Sequence, residues 1–264
     1  DVSYRIPSWG VNPHSTMKHP PFEVKPYGSH ALLLEWPARV DSEILEDILR
    51  FAAYLSTNHL KEEAWELIPI YHTLTLIRQD GASDFDHIVL NLSQWYSACP
   101  EKGGKPGHVW ELPVCYEGPY GMDLQETAQR LNMDSDQLID QHTAQEYRVY
   151  GIGFLPGFLY LGGVPESLQL IRRDEPRLRV PKGSVGLAGS QTGIYPQTSP
   201  GGWHIIGNCP VPLFNADKDP PCLVEPGDYI RFRAVSQAEY DLHKLESEVG
   251  IYKYKRSKRR AENS

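Results

Sequence analysis

The sequence predicts an α+β protein in which an N-terminal ferredoxin-like α/β domain is followed by a β-barrel domain. The 264 residues are enough for two ordinary domains, and 40% are hydrophobic against 23% charged. Residues 22–116 alternate between strand and helix patterns. After residue 147 the chain changes to short apolar runs separated by turns, and 12 of the 22 glycines fall between Gly151 and Gly207.

Hydrophobic periodicity predicts the first elements of the N-terminal domain. The run ALLLEW, from Ala31 to Trp36, is typical of a short apolar strand. Asp41 or Ser42 can cap the helix that follows, because apolar residues then recur at helical spacing. The predicted buried face of this helix consists of Ile44, Leu45, Ile48, Leu49, Ala52 and Leu55.

Three further strands and a second helix complete the predicted domain. WELIPIY and TLTLIR read as two strands, and VWELPVCY (109–116) reads as the last one. Ser83 can cap the second helix between them. Its predicted apolar side consists of Phe85, Ile88, Val89, Leu92, Trp95 and Tyr96. The order β-α-β-β-α-β is that of a split βαβ, ferredoxin-like unit.

Residues 117–146 are predicted to be a helical connector, in which Asp123 and Ser135 cap two short helices. Residues 147–250 are assigned to the barrel domain, whose last helix, Gln237 to Glu248, is expected on its outside. Residues 1–21 are expected to be a disordered extension, with Met17 as a candidate native start. Residues 251–264 are expected to be a solvated basic tail.

Charge and composition argue against several functional classes. The net charge is −8, and six of the eight residues in KYKRSKRR, near the end of the chain, are basic. An acidic body is a poor nucleic-acid binder, so we expect no nucleic-acid partner. No apolar run is long enough for a membrane helix and no signal peptide is evident, so we expect a cytoplasmic protein.

Cysteine and histidine spacing argues against metal and disulfide chemistry. The four cysteines lie far apart without a CxxC motif, which indicates reduced thiols. The histidines show no paired spacing, so no metal site is expected on this chain alone. The segment GGKPGH around Lys105 lacks the spacing and the Ser/Thr of a Walker A motif, and neither GxSxG nor HExxH occurs.

Three stretches combine glycines with aromatic residues: GFLPGFLYLGG, GSVGLAGSQTGIYP and SPGGWHIIG. Such a mixture suits barrel corners with a packed core, and it equally suits one groove that a ligand or a partner backbone approaches closely. The sequence does not separate a small-molecule groove from a partner interface, whose core is also rich in aromatic residues. The predicted groove consists of Phe154, Pro156, Gly157, Phe158, Tyr160, Arg177, Gly183, Gly189, Gln191, Gly201, Gly202 and Trp203.

Candidate catalytic residues lie in the same half, although no single one is identified. Lys182, Gly183 and Ser184 fall in a turn, where backbone N–H groups and a cation suit an oxyanion or a phosphate. Tyr195 can hydrogen-bond a ligand, as can Gln191. His204 alternates with Trp203 along a strand, so only one of the two can face the groove.

Other polar residues allow a functional and a structural interpretation. The basic run of Arg172, Arg173, Arg177 and Arg179 can bind a carboxylate or a phosphate, or it can pair with Asp174 and Glu175 at the surface. His142 ends a predicted helix, where a protonated imidazole favours the helix C-terminus.

The run YRVYGIGFLPGFLYLGG, then RRDEPRLRVPKGSVGLAGSQTGIYP and SPGGWHIIG, resembles the allophanate-hydrolase-subunit-1 family, also named carboxyltransferase domain, subdomains C and D. The resemblance extends from about Phe22 to Gly250, with two departures. Gly121-Met122-Asp123-Leu124 stands where the family usually has Gly-Pro-Asp-Leu. Asn208-Cys209 stands where an Arg-Thr pair is common, which puts a cation at position 208 in doubt.

The resemblance implies a cyclophilin-like β-barrel as the second domain and an obligate partnership. In bacterial 5-oxoprolinase, a B subunit of this family works with a related C subunit and an A subunit, and the complex opens 5-oxoproline to glutamate with hydrolysis of ATP. The resemblance thus implies a hydrolase subunit inactive alone, with the ATP site shared or on a partner. The alternatives are a Kip-like inhibitor of a sensor histidine kinase and a urea carboxylase or allophanate hydrolase component; prolyl isomerase activity rests on fold analogy alone.

Overall fold

The computed structural model describes residues 20–81, 85–101 and 107–259, and it divides into two units, Asp1–Lys105 and Pro106–Ser264. Helices and strands are mixed in the chain, so the predicted α+β class is confirmed. Each unit has a hydrophobic core of its own. Within the described residues, no helix combines the length and the apolar character needed to cross a membrane.

The first unit is a four-stranded antiparallel sheet in the order β1-β2-β4-β3 with two helices. Its elements are β1 (Glu23–Pro26), β2 (Ala31–Glu35), α1 (Ser42–Asn58), β3 (Trp65–Ile70), β4 (Thr73–Arg78) and α2 (Asp86–Ala98). The apolar sides of the sheet and of both helices meet in one core, as alternating strands and amphipathic helices require.

Helix α1 begins as predicted, because the side chain of Asp41 accepts a hydrogen bond from the backbone N–H of Glu43 at 2.8 Å. Its buried face differs from the prediction at three positions: Phe51 is fully buried, whereas Leu49 and Ala52 are only half-buried. The buried residues are Ile44, Leu45, Ile48, Phe51 and Leu55. The phenyl ring of Phe51 packs against two other aromatic rings of the core, which explains why this residue is buried.

Helix α2 buries most of its predicted apolar side. Its buried residues are Ile88, Val89, Leu92 and Tyr96. Trp95 is only half-buried, and its ring stacks on His59 at 4.2 Å between centroids. Ser83, the predicted cap, lies outside the described residues; the described helix begins at Asp86 after Phe85.

The prediction that residues 109–116 close the first sheet is wrong. These residues form β5 (His108–Val114) in the second unit, parallel to a later strand over six residue pairs. The fourth strand of the first sheet is instead β1, which forms an antiparallel pair with β2. The apolar pattern identifies a strand but not its partner, because backbone hydrogen bonds form equally well with any strand that packing brings alongside.

The second unit contains most of the strands. After β5, its elements are α3 (Leu124–Arg130), α4 (Ser135–Thr143), β6 (Glu146–Ile152), β7 (Leu159–Gly162), β8 (Arg177–Val180), β9 (Ser184–Ala188), β10 (Gln191–Ile194), β11 (Ser199–Gly201), β12 (His204–Asn208), β13 (Tyr229–Ala234), α5 (Gln237–Glu248) and β14 (Lys255–Lys258). The buried apolar residues of the predicted connector helices, Ala128 and Leu138, join this unit's core.

The main sheet of this unit has eight strands in the order β12-β9-β10-β7-β6-β13-β5-β14, and β8 pairs with β11 in a separate two-stranded sheet. In the described residues the predicted barrel does not close, since no strand ladder joins the two ends of the order. A single antiparallel bridge between Cys115 and Asn208 connects the end of β5 to β12 through two 2.9 Å hydrogen bonds.

The N-cap of helix α4 and the conformation of residues 255–258 differ from their sequence predictions. Helix α4 is capped by Asp134, not Ser135: the Asp134 carboxylate accepts from the Gln137 N–H at 2.8 Å, and the Gln137 side chain accepts from the Asp134 N–H at 3.0 Å. Residues 255–258 of the predicted basic tail form β14, which pairs with β5 although all four residues are exposed. Helix α5 has the predicted bounds.

Candidate functional site

A cleft of about 430 Å³ in the second unit brings together several of the predicted site residues. Gly157, Lys182, Gly183 and Tyr195 line it. The remaining walls come from segment 208–213 after β12 and from one side of α5. A volume of this size is in the range of small-molecule sites.

The charged residues of the cleft lining are two lysines and one carboxylate, Glu248, so its net charge is positive. Lys182 lies in the turn before β9, and Lys244 comes from α5; both side chains are exposed. Among the described residues neither ammonium group forms an ion pair. Ammonium groups at the edge of a partly apolar cleft suit an anion such as a carboxylate or a phosphate.

The floor of the cleft is fixed by hydrogen bonds around Asn208. Its amide nitrogen donates to the carbonyl of Lys182 at 2.9 Å, and its amide oxygen accepts from the hydroxyl of Tyr240 at 2.9 Å. Asn208 therefore holds the β9 turn against α5, and both ends of its amide are already used. The sequence put a cation at position 208 in doubt. The structure gives this position a neutral amide with a structural role.

The thiol and the phenol on the cleft lining keep their protons at neutral pH. Burial raises the pKa of Cys209 to about 12 and the pKa of Tyr240 to about 12. Burial also raises the pKa of Tyr195, which is 2% exposed. None of these groups is a ready nucleophile, since thiolate and phenolate are the reactive forms.

The backbone N–H groups of the β9 turn are not available to an anion. Gly183 donates to the carbonyl of Tyr195 at 2.7 Å, Ser184 to that of Pro181 at 3.2 Å, and Lys182 to the hydroxyl of Thr198 at 3.3 Å. The prediction that these backbone N–H groups bind an oxyanion or a phosphate is therefore wrong, because all three already donate to acceptors within the protein. Ser184 itself is 1% exposed, away from the cleft lining.

The aromatic residues predicted to line a groove form a small second core instead. Phe158, Tyr195 and Trp203 are 2–5% exposed and meet edge to face. Phe154, at φ 65°, and Pro156 are exposed. Tyr160 packs at the edge of the aromatic core, so the barrel-core interpretation applies to most of this set.

The predicted groove glycines approach parts of the protein itself. A Cβ at Gly157 would collide with Phe214, and one at Gly201 would collide with the Tyr195 ring. Gly202 lies near Pro176, and Gly189 forms a bridge with Leu170. Gln191 begins β10, opposite Gly162 and Ala188. Close packing within the protein accounts for Gly157 and Gly201, whereas Gly189 has open space around it and a φ of 58° that favours glycine.

Neither predicted histidine lies in the cleft. His204 is fully buried, and its Nε2 lies 3.0 Å from the carbonyl of Ile171, so Nε2 carries the proton. His142 is also fully buried, between the hydroxyls of Tyr116 at 2.8 Å and Thr192 at 3.0 Å. Burial lowers the pKa of both, to about 3 for His142, so the prediction of a protonated helix-end histidine is wrong.

The carboxylate partner of Arg177 was not anticipated from the sequence. Its guanidinium makes two hydrogen bonds to Asp123, one of them at 2.8 Å, and Asp123 also accepts from the N–H of Ile205 at 2.7 Å. Arg173 lies 3.5 Å from the same carboxylate. Arg177 therefore pairs with Asp123 rather than with the neighbouring acidic residues, and Asp123 does not cap α3 with its side chain. Arg172 and Arg179 remain exposed.

Sequence reasoning missed Asp123 as a pairing residue and Lys244 as a cleft residue. The sequence feature that marks Asp123 is its place in the Gly-Met-Asp-Leu motif, 54 residues before Arg177. Lys244 has no such signal, because its approach to Lys182 depends on how α5 packs. Among the described residues, no group of three or more potential ligands is arranged to hold a metal ion.

Comparison with known proteins identifies relatives along most of the chain. A family model described as carboxyltransferase domain, subdomain C and D, matches residues 22–224. The B subunit of 5-oxoprolinase from Bacillus subtilis (strain 168) is 32% identical over 236 residues, covering 86% of this chain and 98% of the relative. The corresponding protein of Haemophilus influenzae is 35% identical, covering 79% of this chain and 96% of the relative.

Solved structures of similar fold also match this chain. The crystal structure of TTHA0988 superposes with a TM-score of 0.66 at 32% identity, covering 78% of this chain. This chain spans only 40% of that solved chain. The Kluyveromyces lactis urea carboxylase is 15% identical with a TM-score of 0.69 over 90% of this chain and 24% of its own, which is a likeness of fold alone.

Proposed function

This chain belongs to the family of the carboxyltransferase domain, subdomain C and D, and from that premise we propose that it is the B subunit of a 5-oxoprolinase. The observation that carries the proposal is its match to the Bacillus subtilis B subunit along 98% of that protein. The proposed complex opens the lactam of 5-oxoproline to L-glutamate, uses ATP as co-substrate, and contains A and C subunits as partners.

The cleft supports an anionic substrate. 5-Oxoproline carries a carboxylate and ATP carries a triphosphate, and the ammonium groups of Lys182 and Lys244 border the same space. We propose that both lysines hold such an anion. Tyr195 and the buried Asn208 then act as packing residues that fix the shape of the cleft.

The residues of the cleft also support the proposal that the chain is active only in a complex. Lactam hydrolysis requires a base for water and stabilisation of the charge that develops on the carbonyl oxygen. The described cleft lining contains no histidine, its thiol and phenols keep their protons, and its backbone N–H groups at the β9 turn are used. Glu248 is the carboxylate on this lining. We therefore place the remaining catalytic groups and the nucleotide site on partner subunits or shared with them.

The test is glutamate formation from 5-oxoproline and ATP by this chain alone and mixed with its candidate A and C subunits. Glutamate that forms only in the full mixture, and not when this chain is omitted, supports the proposal. Turnover by the A and C subunits at the same rate without this chain would exclude it. Binding of a sensor histidine kinase by this chain is the outcome that the alternative function predicts.

A further inference from the structure

Helix α5 is exposed on the side that faces away from the second unit. Its one buried residue is Tyr240, which packs on Cys115 and Val235. Leu242 and Leu245 on α5, and Val249 at its C-cap, recur at spacings of three and four on the side opposite Tyr240. They are 53%, 57% and 60% exposed, so three large apolar side chains form one stripe in water. We call these three residues the α5 stripe.

An exposed stripe of this kind is not required by the fold of α5. Single exposed apolar residues are ordinary on protein surfaces, but an aligned row along one helix face is typical of a contact surface. The helix is held on its inner side by Tyr240, whose hydroxyl donates to Asn208, and by the ion pair of Glu239 with Arg233. The α5 stripe therefore contributes little to holding the helix in place.

The charges beside the stripe restrict what can cover it. Asp241 and Glu248 lie along one side and Glu246 along the other, and all three are acidic, whereas the cation Lys244 faces the cleft. A second copy of this chain, docked by twofold symmetry, would bring these carboxylates towards one another. A partner with an apolar patch flanked by lysines or arginines has the complementary charge.

The stripe also adjoins the cleft. Lys244 and Glu248 line the cleft from the same helix, and each is a direct neighbour in sequence of a stripe residue, Leu245 or Val249. A chain covering the stripe would lie beside the cleft wall that these two side chains form. That position lets it supply the groups that the cleft lacks.

We propose that the α5 stripe is the docking surface for a partner subunit that carries an apolar patch with a basic rim. The inference rests on the proposed function, which requires a second subunit. It assigns that contact to α5 rather than to the glycine- and aromatic-rich segments, whose large side chains are mostly committed to the protein's own core.

The test measures assembly of the full chain with its candidate A and C subunits by light scattering and isothermal titration calorimetry. The double variant Leu242→Glu/Leu245→Glu is expected to weaken binding about 100-fold, as loss of central apolar contacts does. Leu242→Ala/Leu245→Ala, which adds no charge, is expected to weaken it about tenfold. The matched control is Leu90→Glu, since Leu90 is 65% exposed on α2 of the first unit and should bind like wild type.

A charge variant tests the acidic rim. Asp241→Lys is expected to weaken binding several-fold at low salt and less at high salt, whereas Asp217→Lys, exposed on a loop, leaves it unchanged. Equal binding by Asp241→Lys and wild type at low salt would contradict the proposal that the partner subunit carries a basic rim.

The outcomes separate the two proposals. Wild type that assembles and forms glutamate, together with a double variant that binds within threefold of it, overturns the docking surface and leaves the function intact. Wild type that neither assembles nor supports turnover overturns both. A homodimer of wild type that the double variant loses identifies a second copy as the occupant, which also contradicts the inference.

Discussion

Asp123 and Arg177, 54 residues apart, form an ion pair with two hydrogen bonds in which the carboxylate is only 2% exposed. Because Asp123 also accepts from the backbone of Ile205, this one carboxylate joins the start of α3 to β8 and β12. The pair gives one arginine of the basic run a structural role, which is to neutralise a buried charge.

We predict that Asp123→Ala destabilises the protein by about 3 kcal/mol, because it leaves the Arg177 guanidinium and the Ile205 N–H without their acceptor. The value is at the low end for buried pairs, since the Arg177 side chain is 26% exposed. Urea unfolding of the full chain measures it. The control Glu126→Gln removes a half-exposed carboxylate from α3 and should cost less than about 0.5 kcal/mol. Equal stability of the two variants would show that the pair is not stabilising.

The glycine in the β9 turn is predicted to be irreplaceable for two separate reasons. Gly183 has φ 82°, and a Cβ there would collide with Asn208 and the carbonyl of Cys209. Gly183→Ala should cost about 3 kcal/mol, of which backbone strain accounts for about 1–2 kcal/mol. Gly189→Ala is the matched control, since Gly189 has φ 58° and open space around it. Thermal unfolding of both variants separates strain from collision; the same loss in each would exclude the collision.

Stability is predicted to fall as the pH is lowered from 7 towards 5. In the folded protein the pKa of His142 is lowered to about 3 by burial, from an ordinary value of 6.5. The unfolded chain therefore binds a proton that the folded chain does not, and stabilisation present above the unfolded pKa is lost below it. One such group gives a slope approaching about 1.4 kcal/mol per pH unit. Urea unfolding at pH 7.5, 6.5 and 5.5 measures the slope, which His142→Gln should reduce. An unchanged slope in that variant would assign the effect to other groups.

Lys182→Ala and Lys244→Ala are each predicted to lower kcat/KM for 5-oxoproline in the assembled complex by about tenfold to 100-fold. The reason is the loss of a charge-assisted contact to an anion, which contributes about 1.5–3 kcal/mol. Lys218→Ala, an exposed lysine outside the cleft lining, is the control and should retain full turnover. Steady-state kinetics of complexes with matched composition gives the comparison. Values within twofold of wild type for both cleft variants would exclude the cleft as the anion site.

The local pattern of the sequence predicted most elements but few of their partners. Asp41 caps α1, and α5 has its predicted bounds, because capping and helical periodicity depend on neighbouring residues. The strand at 109–116 was predicted, yet its assignment to the first sheet was wrong. The glycine- and aromatic-rich runs identified the family but not the role of Phe158 or Trp203, which pack on each other.

The sequence by itself determined the fold class, the family and the positions of the helices. Tertiary structure alone decided that Arg177 neutralises Asp123, that His142 is neutral, and that Lys182 and Lys244 share a cleft. The physical reason is the range of the interactions. Caps and periodicity act over a few residues, whereas desolvation and charge pairing depend on which distant segments packing brings together.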